Sequence, residues 1–541
     1  MTTVAPSPSL ESNLATCREL ADRLAANALA GDAKAIARQH AKHKLTVAER
    51  FDLLFDKEGW RVEIGAFAAD GMYGEFGGDI RSAGCRAVVG LLHGRPTLAL
   101  ANDSMVKAGA WLPMTIKKML RAQEVALENR LPTVYLVDSA GVFLPLQEDI
   151  FPDREHAGRI FYNNSVMSAE GIPQVAVVCG PCVAGGAYLP VLCDEMIIVK
   201  GTGHVFLAGP YLVEAAIGEK TDAESLGGAE MHGRLSGTAD YEEPSEESAL
   251  AKVREIARSW PRSTAGLRRE EPAAPATDPE EILAILPDSR QKPYDMRRII
   301  DALVDGGSFL EFKKNYGQTL ICGTARIEGW HVGIVANQRL IVKSAQGELQ
   351  MGGVIYSDSA DKAARFVMNC NQKGLPIVYL QDVTGFMVGS RAERGGIIKD
   401  GAKLVNAVSN SRVPQFTVVV GNSNGAGNYA LCGRAYGPRF MLSWPMGRIS
   451  VMGGEQAAKT LLSLEKQRRA KDPMTPEEEA AFLSRMIEHY SDHSSPYHAA
   501  SRLWIDAVID PRGTRGTLAK LLEIADEAPL ADSFRTGVLQ T

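Results

Sequence analysis

Two glycine-rich clusters carry the chemistry this chain could do, and they stand at matching places in its two halves. Ala184-Gly185-Gly186-Ala187-Tyr188 follows an apolar run that starts at Ile172-Pro173-Gln174 and passes through Gly180. Gly425-Ala426-Gly427-Asn428-Tyr429 follows Val413-Pro414-Gln415 and Gly421 in the same manner, 241 residues later. Upstream, Leu-Pro-Thr-Val-Tyr-Leu-Val-Asp at 131–138 leads into Ser139-Ala140-Gly141. Its counterpart, Leu-Pro-Ile-Val-Tyr-Leu-Gln-Asp at 375–382, lies 244 residues on and leads into Val383-Thr384-Gly385. Glycine lets a ligand approach the backbone with no Cβ in the way. Where such a turn opens a helix, the first N–H groups are unsatisfied and lie at the positive end of the dipole. Two adjacent N–H groups there can hold an oxyanion, and one such donor is worth about 3 kcal/mol of barrier. A single Gly-Gly-Ala reads as a tight turn. Two at matching places point to two pockets, serving two different carbonyl oxygens that take on charge.

Other chemistries lack their residues. Neither cluster shows G-x-G-x-x-G after a first strand or a P-loop lysine, so dinucleotide and ATP binding have little support. The sequence contains no G-x-S-x-G, no H-E-x-x-H and no Ala-Met-Lys-Met biotin-attachment site. Ser139 and Ser423 lie near the clusters without an assignable His/Asp partner, which argues against a serine nucleophile. His156 and His232 read as hydrogen-bonded structural histidines. Cys179-Gly180-Pro181-Cys182 has metal or redox spacing, but no second Cys/His pair follows it. The eight cysteines therefore read as small core thiols, and no metal is expected. The chemistry rests on backbone donors, with the proton handled by substrate or cofactor.

These clusters need strands and helices to hold them. At 541 residues the chain is too long for one core and suits two domains of about 200–250 residues each. Val- and Ile-rich runs without strict alternation, such as 133–137, 174–178, 377–381 and 416–420, indicate strands covered on both faces of an α/β layer structure. Residues 14–57 read as helical, and 456–491 as a charged, solvated helical tail. Between Glu242 and Asp288 the composition turns acidic and then Ala/Pro-rich. We therefore expect an N-terminal domain at 14–265, a linker at 266–288 with its solvated part at 268–280, and a C-terminal domain at 289–541. Met1–Asn13 reads as a short disordered lead, neither signal nor transit peptide, which makes the cytoplasm the default. A formal net charge of −6 argues against nucleic-acid or membrane-surface binding, and no apolar run is long enough to span a bilayer.

Longer motifs then bring a resemblance. Val137-Asp-Ser-Ala-Gly-Val-Phe-Leu-Pro-Leu-Gln, Phe151-Pro-Asp-Arg-Glu-His and Gly158-Arg-Ile-Phe-Tyr-Asn resemble the carboxyltransferase (β) subunits of biotin-dependent acyl-CoA carboxylases, the methylcrotonyl-CoA carboxylase branch above all. Ala101-Asn-Asp-Ser-Met-Val-Lys, Leu226-Gly-Gly-Ala-Glu-Met-His, Thr384-Gly-Phe-Met-Val-Gly, Lys399-Asp-Gly-Ala-Lys and Ile449-Ser-Val-Met-Gly-Gly-Glu-Gln match as well, so the resemblance runs from about residue 20 to 520. It implies two tandem crotonase-like domains related by internal duplication. Gly185 and Gly186 would hold the thioester oxygen of an acyl-CoA enolate, and Ala426 and Gly427 the ureido oxygen of biotin. Lys107, Ser139, Ala140, Gly141, Ala157 and Phe161 would line the acyl-CoA side, and Thr384, Gly385 and Phe386 the biotin side. CO2 would pass from carboxybiotin to the enolate with no protein base. Biotin would arrive on a biotin carboxylase/carrier chain, and the site would form between subunits of a hexameric core.

Departures from the family pattern bear on the substrate. Ser139-Ala140-Gly141-Val142 stands for Ser-Gly-Gly-Ala, Lys107-Ala108-Gly109 for Lys-Gly-Gly, Gly209-Pro210-Tyr211 for Gly-Pro-Pro, and Ala157 for a Phe. A reshaped acyl pocket and neutral repacking both fit these changes. The segment 338–353 looks like the carboxyltransferase subunit of glutaconyl-CoA decarboxylase, which makes the decarboxylating relative the alternative reading. A non-catalytic acyl-CoA-binding protein of the same fold is weaker, because the glycines of both clusters are intact. A CoA hydratase is weaker still, for want of a glutamate pair beside them.

Overall fold

The computed structural model of the protein describes residues 7–28, 33–78, 80–261, 266–289, 292–344, 347–469, 473–530 and 534–535. Its frame is two mixed sheets of eight strands each. The first contains β1 (Arg61–Ile64), β2 (Cys85–Leu92), β3 (Arg95–Asn102), β4 (Thr133–Ser139), β5 (Gln174–Val183), β6 (Glu195–Val199), β7 (His204–Phe206) and β8 (Tyr241–Glu243). Its spatial order is β1-β2-β3-β4-β5-β6-β8, with β7 pairing the end of β5. The second half supplies β9 (Leu310–Phe312), β10 (Leu320–Ile327) and β11 (Trp330–Asn337). A small excursion follows, made of β12 (Val342–Lys343), β13 (Leu349–Gln350) and β14 (Val354–Ile355). Then come β15 (Ile377–Val383), β16 (Gly385–Phe386), β17 (Gln415–Asn424), β18 (Phe440–Ser443), β19 (Arg448–Ser450) and β20 (Ala507–Val508). The second sheet runs β9-β10-β11-β15-β17-β18-β20, with β19 pairing the end of β17. Strand for strand, this is the order of the first sheet.

Local chemistry repeats along with topology. The β2–β3 and β10–β11 hairpins turn on His93-Gly94 and Glu328-Gly329, all four residues at positive φ (53°, 72°, 46° and 82°). Two such residues make the turn whose twist matches the flanking strands. The parallel strands β3, β4 and β15 are buried along their whole length, as expected for strands covered on both faces. The two central pairs also break register alike. Val137↔Val178 is followed by Ser139↔Cys182, and Gln381↔Val419 by Val383↔Ser423. So β5 and β17 each bulge by two residues, at Gly180 and Gly421.

The ends of the chain differ from expectation. The lead read as disordered is a helix from Pro8 to Ala28, and the N-domain start expected at residue 14 falls inside it; Met1–Pro6 lie outside the described residues. The helix forms because its apolar stripe has a surface to cover in the other half. Asn13 donates to Leu283 O and Leu286 O at 2.9 and 3.1 Å, and Leu20 packs with Val419 and Met441. The 268–280 stretch is largely exposed, yet it is tied down by bridges from Arg269 to Trp330 and from Pro275 to Asp305. At 262–265 the expected domain boundary lies outside the described residues. The C-terminal helix Thr514–Asp526 returns to the first half, where Glu523 accepts from the Trp60 indole at 3.0 Å. One hydrophobic cluster accordingly runs through both sheets.

Candidate active site

Both glycine clusters form the same turn. Val183, before the first, has φ −112° and ψ 143°; Asn424, before the second, has φ −114° and ψ 141°. Ala184 and Gly425 follow in the left-handed region at φ 55° and 53°. Gly185 and Ala426 are then exposed, while Gly186 and Gly427 are buried. Tyr188 and Tyr429 stand half-exposed just beyond, at 49% and 48%. Each turn therefore offers one open backbone position next to a sheltered one, with N–H groups at the start of a helical segment.

The glycines are there for different reasons in the two turns. Neither Gly185 nor Gly186 has positive φ. A Cβ on Gly185 would meet nothing closer than Phe161 at 3.8 Å, and one on Gly186 nothing closer than Trp111 at 4.0 Å. Neither backbone strain nor crowding requires glycine here, and the space in front of both residues is open to a ligand. At Gly427 a Cβ would press on Val383 Cγ2 at 2.5 Å. Gly427→Ala is therefore expected to cost about 1–3 kcal/mol of stability by overpacking, whereas Gly185→Ala leaves the thermal unfolding midpoint unchanged; calorimetry of the two variants checks this.

The residues expected on the acyl-CoA side converge on the first turn from several elements. Ser139 pairs with Cys182 in the sheet, and a Cβ on Gly141 would lie 3.3 Å from Val183 O. Ser139 Oγ accepts the Gly141 N–H at 3.1 Å, so the hydroxyl caps a turn and has no histidine partner. The Ala140 N–H donates to Ala108 O at 3.1 Å, which lays the Lys107–Gly109 segment along this wall. Lys107 itself donates to Phe76 O at 2.5 Å. Ala157 is buried at the start of the helix Ala157–Ala169, one turn before Phe161. The Phe161 ring lies between Trp111 and Tyr188, 6.1 Å from each. Trp111 is a wall residue that sequence reasoning missed; it sits just past the Lys107 motif but carried no signal that its ring reaches the turn.

On the opposite side, Thr384 donates to Gly353 O from its N–H at 2.8 Å and from its hydroxyl at 3.1 Å. Gly385 and Phe386 pair with Val354 and Ile355, and the Phe386 ring covers Gly401. The unusual 338–353 segment is thus the β12–β13 excursion, clamped against Thr384–Phe386. Ser423 Oγ is held between Gln381 Oε1, to which it donates at 2.5 Å, and the Asn428 amide, from which it accepts at 2.7 Å. His232 bridges Val205 O and Ser236 Oγ at 2.7 and 2.9 Å. Burial pushes the Cys179 and Cys182 thiols well above their ordinary range. Among the described residues no group of His, Cys, Asp and Glu is arranged to hold a metal ion.

Large apolar side chains stand exposed beside both turns. Leu207, Tyr211, Leu212 and Ile217 (59–92% exposed) follow β7 near the first turn, and Val388 and Val451 (75% and 80%) flank the second.

Two mixed α/β sheets with matched glycine turns form the frame of the molecule, and comparison with known proteins fixes the family. The carboxyl transferase domain family matches residues 38–536. The biotin-dependent 3-methylcrotonyl-coenzyme A carboxylase beta1 subunit of Mycobacterium tuberculosis is 46% identical over 96% of this chain and 96% of its own. The mitochondrial methylcrotonoyl-CoA carboxylase beta chain of Arabidopsis thaliana is 45% identical over 94% of this chain and 85% of its own. Among solved structures, the geranyl-CoA carboxylase beta subunit of P. aeruginosa superposes with a TM-score of 0.84 at 36% identity, covering 98% of this chain and 96% of that one. The chain belongs to the carboxyl transferase family, in its branch of β subunits of biotin-dependent acyl-CoA carboxylases. Among the described residues no helix is long and apolar enough to cross a membrane.

Proposed function

We propose that this chain moves a carboxyl group from carboxybiotin to a methyl-branched, α,β-unsaturated acyl-CoA of the methylcrotonyl or geranyl kind. The matched pair of turns carries this reading: one transfer between two carbonyl-bearing partners needs two oxyanion pockets. Gly185 and Gly186 hold the thioester oxygen, and the open space at both glycines lets it reach the backbone N–H groups. Those donors stabilise the charge that develops on the oxygen when the acyl group loses its proton. Trp111, Phe161 and the Ser139–Gly141 segment wall the acyl group, and Lys107 lies on the CoA side. Ala426 and Gly427 hold the ureido oxygen of biotin, with Thr384, Gly385 and Phe386 alongside; the second turn fits this role because it repeats the first in conformation and exposure. Biotin, borne by a partner carboxylase/carrier chain, supplies the carboxyl group and accepts the proton.

The fold is two crotonase-like domains related by duplication, the first beginning with the helix at Pro8 in place of residue 14, joined by 266–288 to the second at 289–541. Identical strand order, hairpin turns and bulges support that division. The exposed apolar residues beside both turns support a site completed across subunits of a hexamer, and we place the protein in the cytoplasm. The decarboxylating reading, to which 338–353 pointed, is not favoured. The methylmalonyl-CoA decarboxylase subunit alpha of Veillonella parvula is 32% identical, against 46% and 45% for the carboxylase subunits.

Run in reverse with free biotin, the purified chain is expected to decarboxylate 3-methylglutaconyl-CoA faster than malonyl- or methylmalonyl-CoA. Mass spectrometry of each thioester, with and without biotin, reads the result. Biotin-independent loss, or no loss of any thioester, would overturn the assignment.

A further inference from the structure

Each turn is backed by a buried aspartate at the same place, near the end of the strand next to the one that carries the turn, though the two are held by different partners. Asp138 and Asp382 are the next-to-last residues of β4 and β15, and they are 1% and 4% exposed. Each carboxylate lies against the glycine of the neighbouring bulge. A Cβ on Gly421 would sit 2.5 Å from Asp382 Cγ, and one on Gly180 would overlap Asp138 Oδ1. Here glycine is demanded by the carboxylate itself, unlike Gly185 and Gly186. Asp382 accepts the backbone N–H of Asn422, inside the bulge, at 2.8 Å, and the Tyr294 hydroxyl at 2.9 Å; Arg339 lies 3.2 Å away. Pro181 occupies the place of Asn422 in the first half and has no N–H to give. There the carboxylate takes Lys44 Nζ at 2.6 Å and Arg50 at 3.2 Å, and Arg50 is held in turn by Glu246 at 2.7 Å.

The geometry points to Asp138 and Asp382 as positioning residues, Asp382 through its hydrogen bond to the bulge and Asp138 through its packing on Gly180, each setting the direction in which the following turn presents its N–H groups. The bulge ends at Cys182 or Ser423, two residues before the left-handed residue of the turn. A bulge that relaxes therefore swings the turn, and a displacement of about 1 Å in a binding group is enough to cost orders of magnitude in rate. Because each aspartate serves one turn, the two affect different substrates. This deepens the assignment of the first turn to the thioester and the second to biotin, and rests on it.

The test is biotin-dependent decarboxylation by the full chain, varying acyl-CoA and free biotin separately. Asp138→Asn is expected to raise KM for the acyl-CoA on the order of tenfold with KM for biotin unchanged, and Asp382→Asn to do the reverse. Removing a buried carboxylate strands its cations, so Lys44→Met/Asp138→Asn, which deletes an ion pair together, is measured beside the single variant. Gly421→Ala, which pushes on Asp382 without changing charge, is expected to copy the biotin-side effect. Thermal unfolding and size-exclusion profiles show which variants retain the fold. A purely structural role predicts a lower unfolding temperature and a smaller folded fraction, with kcat per folded subunit and both KM values of wild type. That pattern, or equal shifts in both KM values for either aspartate, would overturn the inference while leaving the two-pocket assignment standing. Absence of biotin-dependent turnover in the wild-type chain would overturn both.

Discussion

Gly186→Val is expected to reduce biotin-dependent carboxyl transfer by at least about 100-fold while leaving the fold intact. The protein leaves room at this position: the nearest atom to a Cβ there is Trp111 Cζ2 at 4.0 Å, and the backbone φ is not positive. On the proposed assignment, the added methyl groups therefore enter the space where the thioester oxygen comes within about 3 Å of the backbone donors. One lost donor costs about 3 kcal/mol of barrier, and valine displaces the oxygen from both. The measurement is kcat/KM in the free-biotin reaction beside the unfolding temperature. Wild-type activity in Gly186→Val would remove the first turn from the mechanism. The matching change at 427 is a poorer probe, because crowding by Val383 mixes lost stability into lost activity.

Arg121→Met is expected to destabilise the protein by about 3–5 kcal/mol, the cost of leaving a buried carboxylate without its cation. Arg121 lies on the helix Pro113–Asn129 of the first half and Asp506 just before β20 of the second, and both are nearly inaccessible to solvent. The guanidinium donates to both Asp506 oxygens at 2.8 and 2.9 Å and to Arg439 O at 2.8 Å. The Asp506 backbone also binds both halves, accepting the Gly65 N–H and donating to Met441 O, each at 2.7 Å. Burial alone would raise the Asp506 pKa, but the Arg121 charge more than reverses this and holds it below the usual carboxylate range. A depressed carboxylate contributes stability that is present above its unfolded pKa of about 3.9 and is lost as pH falls through the folded value. Wild type and Arg121→Met should therefore differ most near neutral pH and converge in strong acid. Urea unfolding at pH 7 and pH 3 reads both effects, and an equal gap at the two pH values would show that Asp506 is not the group responsible.

Much of the site was legible because its signals are local. Strand, glycine cluster and strand again recur at nearly constant spacing, and a duplicated pattern needs no long-range contact to be noticed. The motif blocks around Ser139, Phe161 and Thr384 were expected beside the clusters, and the structure brings those segments next to the turns. What failed was also local in origin. Pro8–Asn13 look solvated by composition, yet the chain folds them into a helix because residues 283–286 and the second sheet present a surface to cover.

The sequence by itself determined the strand pattern, the two turns, the absence of competing catalytic motifs and the family. Each depends on residue type and short-range spacing. Only the tertiary structure decided that Gly186 leaves room for a Cβ while Gly427 is packed on Val383, that Trp111 reaches the first turn, and that Asp138 meets a lysine 94 residues upstream. Those facts depend on which side chains the sheet and its bulges bring together. Spacing along the chain does not encode such contacts, because close packing is settled among residues that are neighbours only in space.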